Sequence, residues 1–183
     1  MEKKNTDILR IALIGPESTS KSTLSEQLAK HYKTVWVPEY SRIYLEGLNH
    51  KYNLNDVLHI AQEQFRQEQR LLKKSYHYIF VDTELILAKV WCEDVFKSCP
   101  EWIGEMLTSN PYDFYLLTYP DLPWQEDPVR ENPHRRMFFF NWYERELKNI
   151  NANYEIIKGF GAARLHNAVQ AVEKFARQFE NKS

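Results

Sequence analysis

A three-layer α/β/α sandwich around a five-stranded parallel sheet is the fold class that this sequence predicts. Five short apolar and β-branched runs, at 8–14, 34–37, 78–81, 113–118 and 154–157, are each bounded by polar residues. The stretches between them carry helical spacing, and strand-helix alternation of this kind favours a parallel sheet covered on both faces. The first run leads directly into a phosphate-binding loop at 15–23, and a helix follows the loop. At 183 residues the chain fits one domain, 1–183, and can bury roughly 70% of its unfolded surface without staples.

The elements follow in order. Ile8, Leu9, Ile11, Ala12, Leu13 and Ile14 make the first strand. Gly15, Pro16, Glu17, Ser18, Thr19, Ser20, Lys21, Ser22 and Thr23 then match the pattern G-x-x-x-x-G-K-[ST] at every required position but one. Successive backbone N–H groups in such a turn, with the positive end of the helix predicted at 23–31, cradle the phosphates of a nucleotide such as ATP. Lys21 reaches those phosphates and the Ser22 hydroxyl coordinates Mg²⁺. Ser20 stands where the second glycine belongs, and a Cβ there is expected to strain the loop or weaken nucleotide binding. A polar turn whose Ser18 or Thr19 merely caps a helix is the competing account. The offsets of Gly15, Lys21 and Ser22 speak against it.

The second strand, 34–37, runs into Pro38-Glu39-Tyr40-Ser41-Arg42 and a helix at 40–48. The clearest helix spans 55–74, where Val57, Ile60, Ala61, Phe65, Leu71 and Leu72 form a broken apolar stripe. Strand three ends in Asp82-Thr83 and is followed by helices at 84–96 and 101–109. After strand four, the segment 119–136 holds Pro120, Pro123, Pro128 and Pro133 among charges and reads as a long loop in the position of a lid. Helices at 134–150 and 162–179 flank the fifth strand.

Composition narrows the function. The 24 Lys and Arg balance 25 Asp and Glu, so there is no basic field of the sort that holds nucleic acid. The first ten residues lack the apolar core of a secretory signal, and no stretch approaches the ~18 apolar residues that span a membrane. A cytoplasmic protein acting on a small molecule is expected. Cys92 and Cys99 have neither redox nor zinc spacing and read as plain thiols.

In open parallel sheets ligands bind beyond the carboxyl ends of the strands. Four candidate groups fall there: the phosphate loop, the 38–42 segment, Asp82-Thr83 and the 119–136 loop. Glu39 is placed to orient or deprotonate a substrate hydroxyl; its alternative is a carboxylate at a helix start. Arg42, one turn on, pairs with Glu39 or reaches a phosphate. Asp82 sits where an acidic residue holds Mg²⁺, or else caps the next helix. Gln64 and Glu68 share a helix face and suit substrate hydroxyls or an amide, or simply a solvated side. Arg130, Arg135 and Arg136 flank the proline-rich loop, where a guanidinium stabilises charge on a transferring phosphoryl group. Trp124 suits stacking on a base or ring, or packing.

The series Gly-Pro-Glu-Ser-x-x-Lys-Ser-Thr, Glu39-Tyr40-x-Arg42, Gln64 with Glu68, Asp82-Thr83, and Pro123-Trp124-x-x-Asp127-x-x-Arg130 with Arg135 beyond resembles the ribosylnicotinamide kinase domain of the NadR type, over about 8–175. The resemblance implies a nucleoside-kinase-like P-loop fold that transfers the γ-phosphoryl group of ATP to the 5′-hydroxyl of nicotinamide riboside in NAD salvage. It implies Lys21 and Ser22 on ATP and Mg²⁺, Asp82 as the acidic metal partner, and Arg130 and Arg135 as lid cations. Glu39 takes the hydroxyl role, with Tyr40, Gln64 and Asp127 as candidates for the ribose and amide. Larger members carry an adenylyltransferase domain before the kinase; this chain has no room for one, so adenylyl transfer is expected to fall to another protein.

Two other readings stand beside this one: a kinase for another nucleoside or small metabolite, and a GTPase-like regulatory switch whose output is nucleotide binding. The second would be favoured by a guanine-reading Asn-Lys-x-Asp. The chain's single Asn-Lys, Asn181-Lys182, runs into Ser183.

Overall fold

A computed structural model describes residues 8–75 and 77–180. The polar segment 1–7 and the Asn181-Lys182-Ser183 end discussed above lie outside the described residues. The strands are β1 (Leu9–Ile14), β2 (Val35–Val37), β3 (Tyr78–Asp82), β4 (Phe114–Thr118) and β5 (Tyr154–Ile157). The helices are α1 (Lys21–His31), α2 (Tyr40–Glu46), α3 (Leu54–Leu72), α4 (Leu85–Phe96), α5 (Glu101–Ser109), α6 (Arg136–Asn149) and α7 (Gly161–Glu180). All five strands pair in parallel, in the order β2-β3-β1-β4-β5. The expected three-layer sandwich is the one observed, and element ends differ from the sequence reading by only one or two residues.

Period-two alternation in the central strand explains the layers. Ile11 and Leu13 point to one face, where Leu24 and Leu28 of α1 and Ala168 and Val172 of α7 cover them. Ala12 and Ile14 point to the other, against Ile86 and Val90 of α4 and Phe139, Phe140, Tyr143 and Leu147 of α6. Both faces are fully apolar, as a parallel sheet buried between helices requires. A third cluster joins Val57 and Ala61 of α3 to Ala88 and Cys92 of α4 and Ile103 of α5. Cys92 is buried, Cys99 is half-buried and both are free. Among the described residues no helix is long and apolar enough to cross a membrane.

The α3 helix starts where its cap dictates. Asn53 Oδ1 accepts from the N–H groups of Asn55 and Asp56, and Asp56 Oδ2 accepts from Asn53 N–H at 2.8 Å, a complete capping box. The α1 helix begins at Lys21 rather than 23, which puts Lys21 and Ser22 in its first turn. Strand order brings the carboxyl ends of β1 and β3 side by side, with Leu13 opposite Asp82. The phosphate loop and Asp82 therefore share one rim of the sheet.

Candidate active site

The phosphate loop is fixed by close packing and by unusual backbone. Gly15 has φ +147, and a Cβ there would lie 2.2 Å from Thr118 Oγ1 and 2.7 Å from its carbonyl. Only glycine lets β1 and β4 approach this closely. Thr19 Oγ1 meets Thr118 Oγ1 at 2.7 Å and Pro16 O at 2.8 Å, while Thr118 Oγ1 donates to Ile14 O at 3.1 Å. Every hydroxyl in this buried chain is satisfied, so the loop is held rigid from below. Lys21 Nζ donates to Pro16 O at 2.9 Å, a neutral acceptor that a phosphate oxygen can replace.

Ser18 and Ser20 both adopt left-handed backbone, at φ 55 and φ 61. Such residues among right-handed ones turn consecutive N–H groups into a concavity for an anion. The expected strain at Ser20 is present, since a non-glycine residue there costs about 1–2 kcal/mol. Its side chain is exposed, so no clash adds to that cost. Ser20→Gly should raise stability by about 1 kcal/mol, or roughly 2–4 °C in Tm for a chain of this length, without slowing any reaction at the loop. A melting curve of the variant that is unshifted or lower would show that the serine is unstrained.

Opposite the loop, Asp82 is fully buried at the end of β3, and among the described residues neither carboxylate oxygen has a partner at hydrogen-bond geometry. Burial pushes its pKa up to about 7 and the nearby Glu39 charge adds to the rise, while Lys21 and the Ser22 and Thr83 hydroxyls hold it down. A buried carboxylate without a hydrogen-bond donor on it among the described residues, 0% exposed, beside Ser22, is a ligand set that fits a divalent cation held mostly by phosphate and water oxygens. No cluster of three metal-ligating side chains exists among the described residues. Magnesium bound through nucleotide phosphates needs none. Thr83 sits at φ 70, an outlier for a β-branched residue, and its N–H bonds Leu13 O at 3.1 Å.

Glu39 precedes α2, makes no cap, and accepts the Ser41 hydroxyl at 2.6 Å. Gln64 welds the two rims together: Nε2 donates to Asp82 O and Thr83 O, both at 3.1 Å, and Oε1 accepts Tyr40 N–H at 2.8 Å. Behind it Glu84 caps α4, and burial pushes its pKa up to about 8.

A cleft of about 800 Å³ opens above these groups, within the size range of small-molecule sites. The phosphate loop, Glu39 and Arg42 line it, with Arg130, Glu131 and Asn132 of the 119–135 segment as its roof. Leu45, Leu48, Tyr52, Trp91, Phe139 and Tyr143 add apolar and aromatic surface to its lining, beside His50, Lys51 and Asp94. Tyr52 and Trp91 meet edge to face at 5.1 Å, and Tyr52 OH donates to Glu131 at 3.1 Å. The roof is tied down to the loop. Glu17 Oε1 and Oε2 accept the N–H groups of Glu131 and Asn132 at 3.1 and 2.9 Å, and Ser18 Oγ accepts Gln125 N–H at 3.2 Å.

The residues expected at the site thus separate. Gly15 to Thr23, Glu39, Arg42, Arg130 and Arg135 line the cleft, and Asp82 lies beneath it. Arg130 makes no ion pair among the described residues; its Nη1 donates to Gln125 O at 2.7 Å. Arg135 instead grips Asp94 with both terminal nitrogens, at 2.8 and 2.7 Å, and lies over Phe138 and Phe139. Arg136 is spent on the carbonyls of Pro120 and Leu122. Tyr40, Trp124 and Asp127 do not line the cleft. Tyr40 turns its ring to Tyr44 and His59, Trp124 buries its indole N–H, and Asp127 pairs with Arg42 at 2.8 Å. Gln64 spends its amide on backbone, and Glu68 is buried against Arg10 and Tyr112. None of these five lines this cleft, though Gln64 lines a smaller pocket with Glu39, Ser41 and Trp91. Tyr52, Trp91, Asp94 and Tyr143 line the cleft but carry no motif. In the sequence they look like ordinary aromatic packing and a surface acid on an apolar helix.

Comparison with known proteins agrees with this geometry. A family model described as AAA domain matches residues 10–164. The trifunctional NAD biosynthesis/regulator protein NadR of Salmonella typhimurium is 24% identical over 163 residues, which are 86% of this chain and 40% of that protein. A solved structure of NadR in complex with NR has a TM-score of 0.77 at 21% identity, covering 93% of this chain and 52% of that one. Deoxyadenosine kinase from M. mycoides, with products bound, shares the fold at a TM-score of 0.61 and 12% identity, over 91% of this chain and the whole of that one. The chain spans less than half the length of its NadR relative from Salmonella. By the match across most of its length, this chain belongs to the AAA domain family of P-loop proteins.

Proposed function

We propose that this chain transfers the γ-phosphoryl group of ATP to the 5′-hydroxyl of nicotinamide riboside, giving nicotinamide mononucleotide. The observation that carries the reading is the meeting, around one cleft, of a phosphate loop, Glu39 and a roof arginine without an ion pair among the described residues, with the buried Asp82 carboxylate at the adjoining strand end. Similarity to NadR, a structure of which holds NR, supports the choice of acceptor.

Each residue has a task that its placement suits. Lys21 exchanges Pro16 O for a phosphate oxygen, and the loop N–H groups take the remaining phosphate charge. Ser22 and Asp82 would hold Mg²⁺, which supplies neutralisation of charge on the β- and γ-phosphates. Glu39 accepts the proton of the acceptor hydroxyl as its oxygen bonds to the γ-phosphorus and the bond to the β-bridging oxygen breaks. Arg130 stabilises charge on the phosphoryl group in transit. The nicotinamide ring of the riboside is cationic, and the faces of Tyr52 and Trp91 in the cleft lining attract a cation by about 0.5–2 kcal/mol. The Glu131 carboxylate beside Tyr52 adds to that preference.

The test is ADP release with MgATP across nicotinamide riboside, adenosine, cytidine, guanosine and thymidine, with mass detection of product. Selective formation of nicotinamide mononucleotide is expected. Phosphorylation of a neutral nucleoside in its place would move the acceptor, and nucleotide binding with no transfer at all would favour the regulatory reading.

A further inference from the structure

Glu17 occupies one of the variable positions of the phosphate loop, where the motif sets no side-chain requirement. It is an acid in a loop built to hold anions, and an acid there opposes phosphate binding unless its charge is taken up elsewhere. In this structure it is taken up: one oxygen accepts Glu131 N–H at 3.1 Å and the other Asn132 N–H at 2.9 Å. These are charge-assisted bonds, about twice as strong as neutral ones. They bind the loop to residues 114 and 115 positions later in the chain. The next loop residue repeats the arrangement, with Ser18 Oγ accepting Gln125 N–H at 3.2 Å. Arg130 lies between the two anchors and is itself braced on Gln125 O.

We propose that Glu17 is a positioning residue for transfer, and that through the backbone N–H groups of Glu131 and Asn132 it holds the roof closed and keeps Arg130 over the transferring phosphoryl group. The roof then covers the γ-phosphate and excludes water. With the anchor gone, the roof lifts and water competes for the γ-phosphorus. Its oxygen bonds to that phosphorus, the bond to ADP breaks, and the proton it loses leaves with inorganic phosphate. The signature is a loss of coupling between ADP formed and acceptor phosphorylated, which a general loosening of the fold would not produce.

The rate consequence rests on the kinase reading, whereas the contact itself does not, so the experiment has two parts. Glu17→Ala and Glu17→Gln are compared with wild type by amide hydrogen exchange over residues 120–135 with MgADP bound, and by the ratio of ADP to phosphorylated acceptor. Glu17→Ala should speed exchange of the Glu131 and Asn132 amides at least tenfold and raise ADP per product from one to well above one. Glu17→Gln keeps one acceptor oxygen and the side-chain volume and should fall between; it also serves if the alanine variant does not fold. Unchanged exchange at both amides in Glu17→Gln and Glu17→Ala overturns the proposal, as does a coupling ratio that stays at one while the rate falls. If no nucleoside is phosphorylated by the wild type, the proposed function fails, and the exchange measurement still decides the anchor.

Discussion

Asp82→Asn should abolish phosphoryl transfer and at the same time raise the melting temperature of the ligand-free protein. The two effects share one cause. The Asp82 carboxylate is fully buried with no partner at full hydrogen-bond geometry among the described residues, and burial followed by the charge of Glu39 pushes its pKa up to about 7. Its unfolded value is about 3.9, so the folded protein binds the extra proton between those limits and stability falls as pH rises from about 4 to 7. Above that window the ionised carboxylate carries its full penalty, on the order of a few kcal/mol. Asparagine removes the charge but leaves a buried amide to satisfy, so a net gain of about 1–2 kcal/mol is expected, or roughly 3–6 °C. Glu84, with its pKa at about 8, keeps a slope of the same sign in both proteins. In wild type alone, MgADP should flatten the slope between pH 5 and 7, because a cation beside Asp82 keeps it ionised. Transfer should fall at least ~10²-fold in the variant. Thermal scans from pH 5 to 8, with and without MgADP, check the first part and product formation the second. A destabilised variant, or one that keeps its rate, would remove Asp82 from the metal role.

How far the sequence could be read depended on the range of the interactions involved. The five strands and the phosphate loop were legible because period-two apolar runs and the spacing of Gly15, Lys21 and Ser22 are local signals. Asp82 was legible for a related reason, since the end of a parallel strand is a defined place. Partners were not. Gln64 reads as one polar residue on a solvated helix side, and only the fold shows that it welds Asp82 and Thr83 to Tyr40. Arg130 and Arg135 are alike in sequence, and the position of Asp94 on α4 separates them. The aromatic pair in the cleft was missed for the reverse reason. Tyr52 and Trp91 lie among 26 aromatic residues and meet only because α4 packs beside the segment before α3. Long-range pairing of this kind leaves no periodic trace.

That separation of the two arginines leads to the second large effect. Arg130→Ala should reduce the transfer rate by about 10³-fold while weakening MgATP binding by less than about tenfold. The difference is expected because, on the proposed function, Lys21 and the loop N–H groups would already hold the ground-state phosphates, whereas charge redistributes over the γ-phosphoryl oxygens only as the bond breaks. On that reading Arg130 is the arginine free to act at that moment. It lines the cleft, is bound by one neutral carbonyl, and sits in a roof fastened to the loop at Gln125 and at Glu131 and Asn132. Arg135 is already neutralised by the Asp94 carboxylate, which holds it at both ends of its fork. Arg135→Ala should therefore act chiefly on stability, by freeing the start of α6, and lower Tm with a rate loss of less than about tenfold. Arg130→Lys should recover only part of the rate, since an ammonium supplies the charge without the planar fork. Single-turnover rates and nucleotide affinity, measured on all three variants, separate these cases. Parallel losses of rate and affinity in Arg130→Ala would make it a ground-state ligand, and a larger rate loss in Arg135→Ala would mean that Asp94 releases its arginine to the substrate during the reaction.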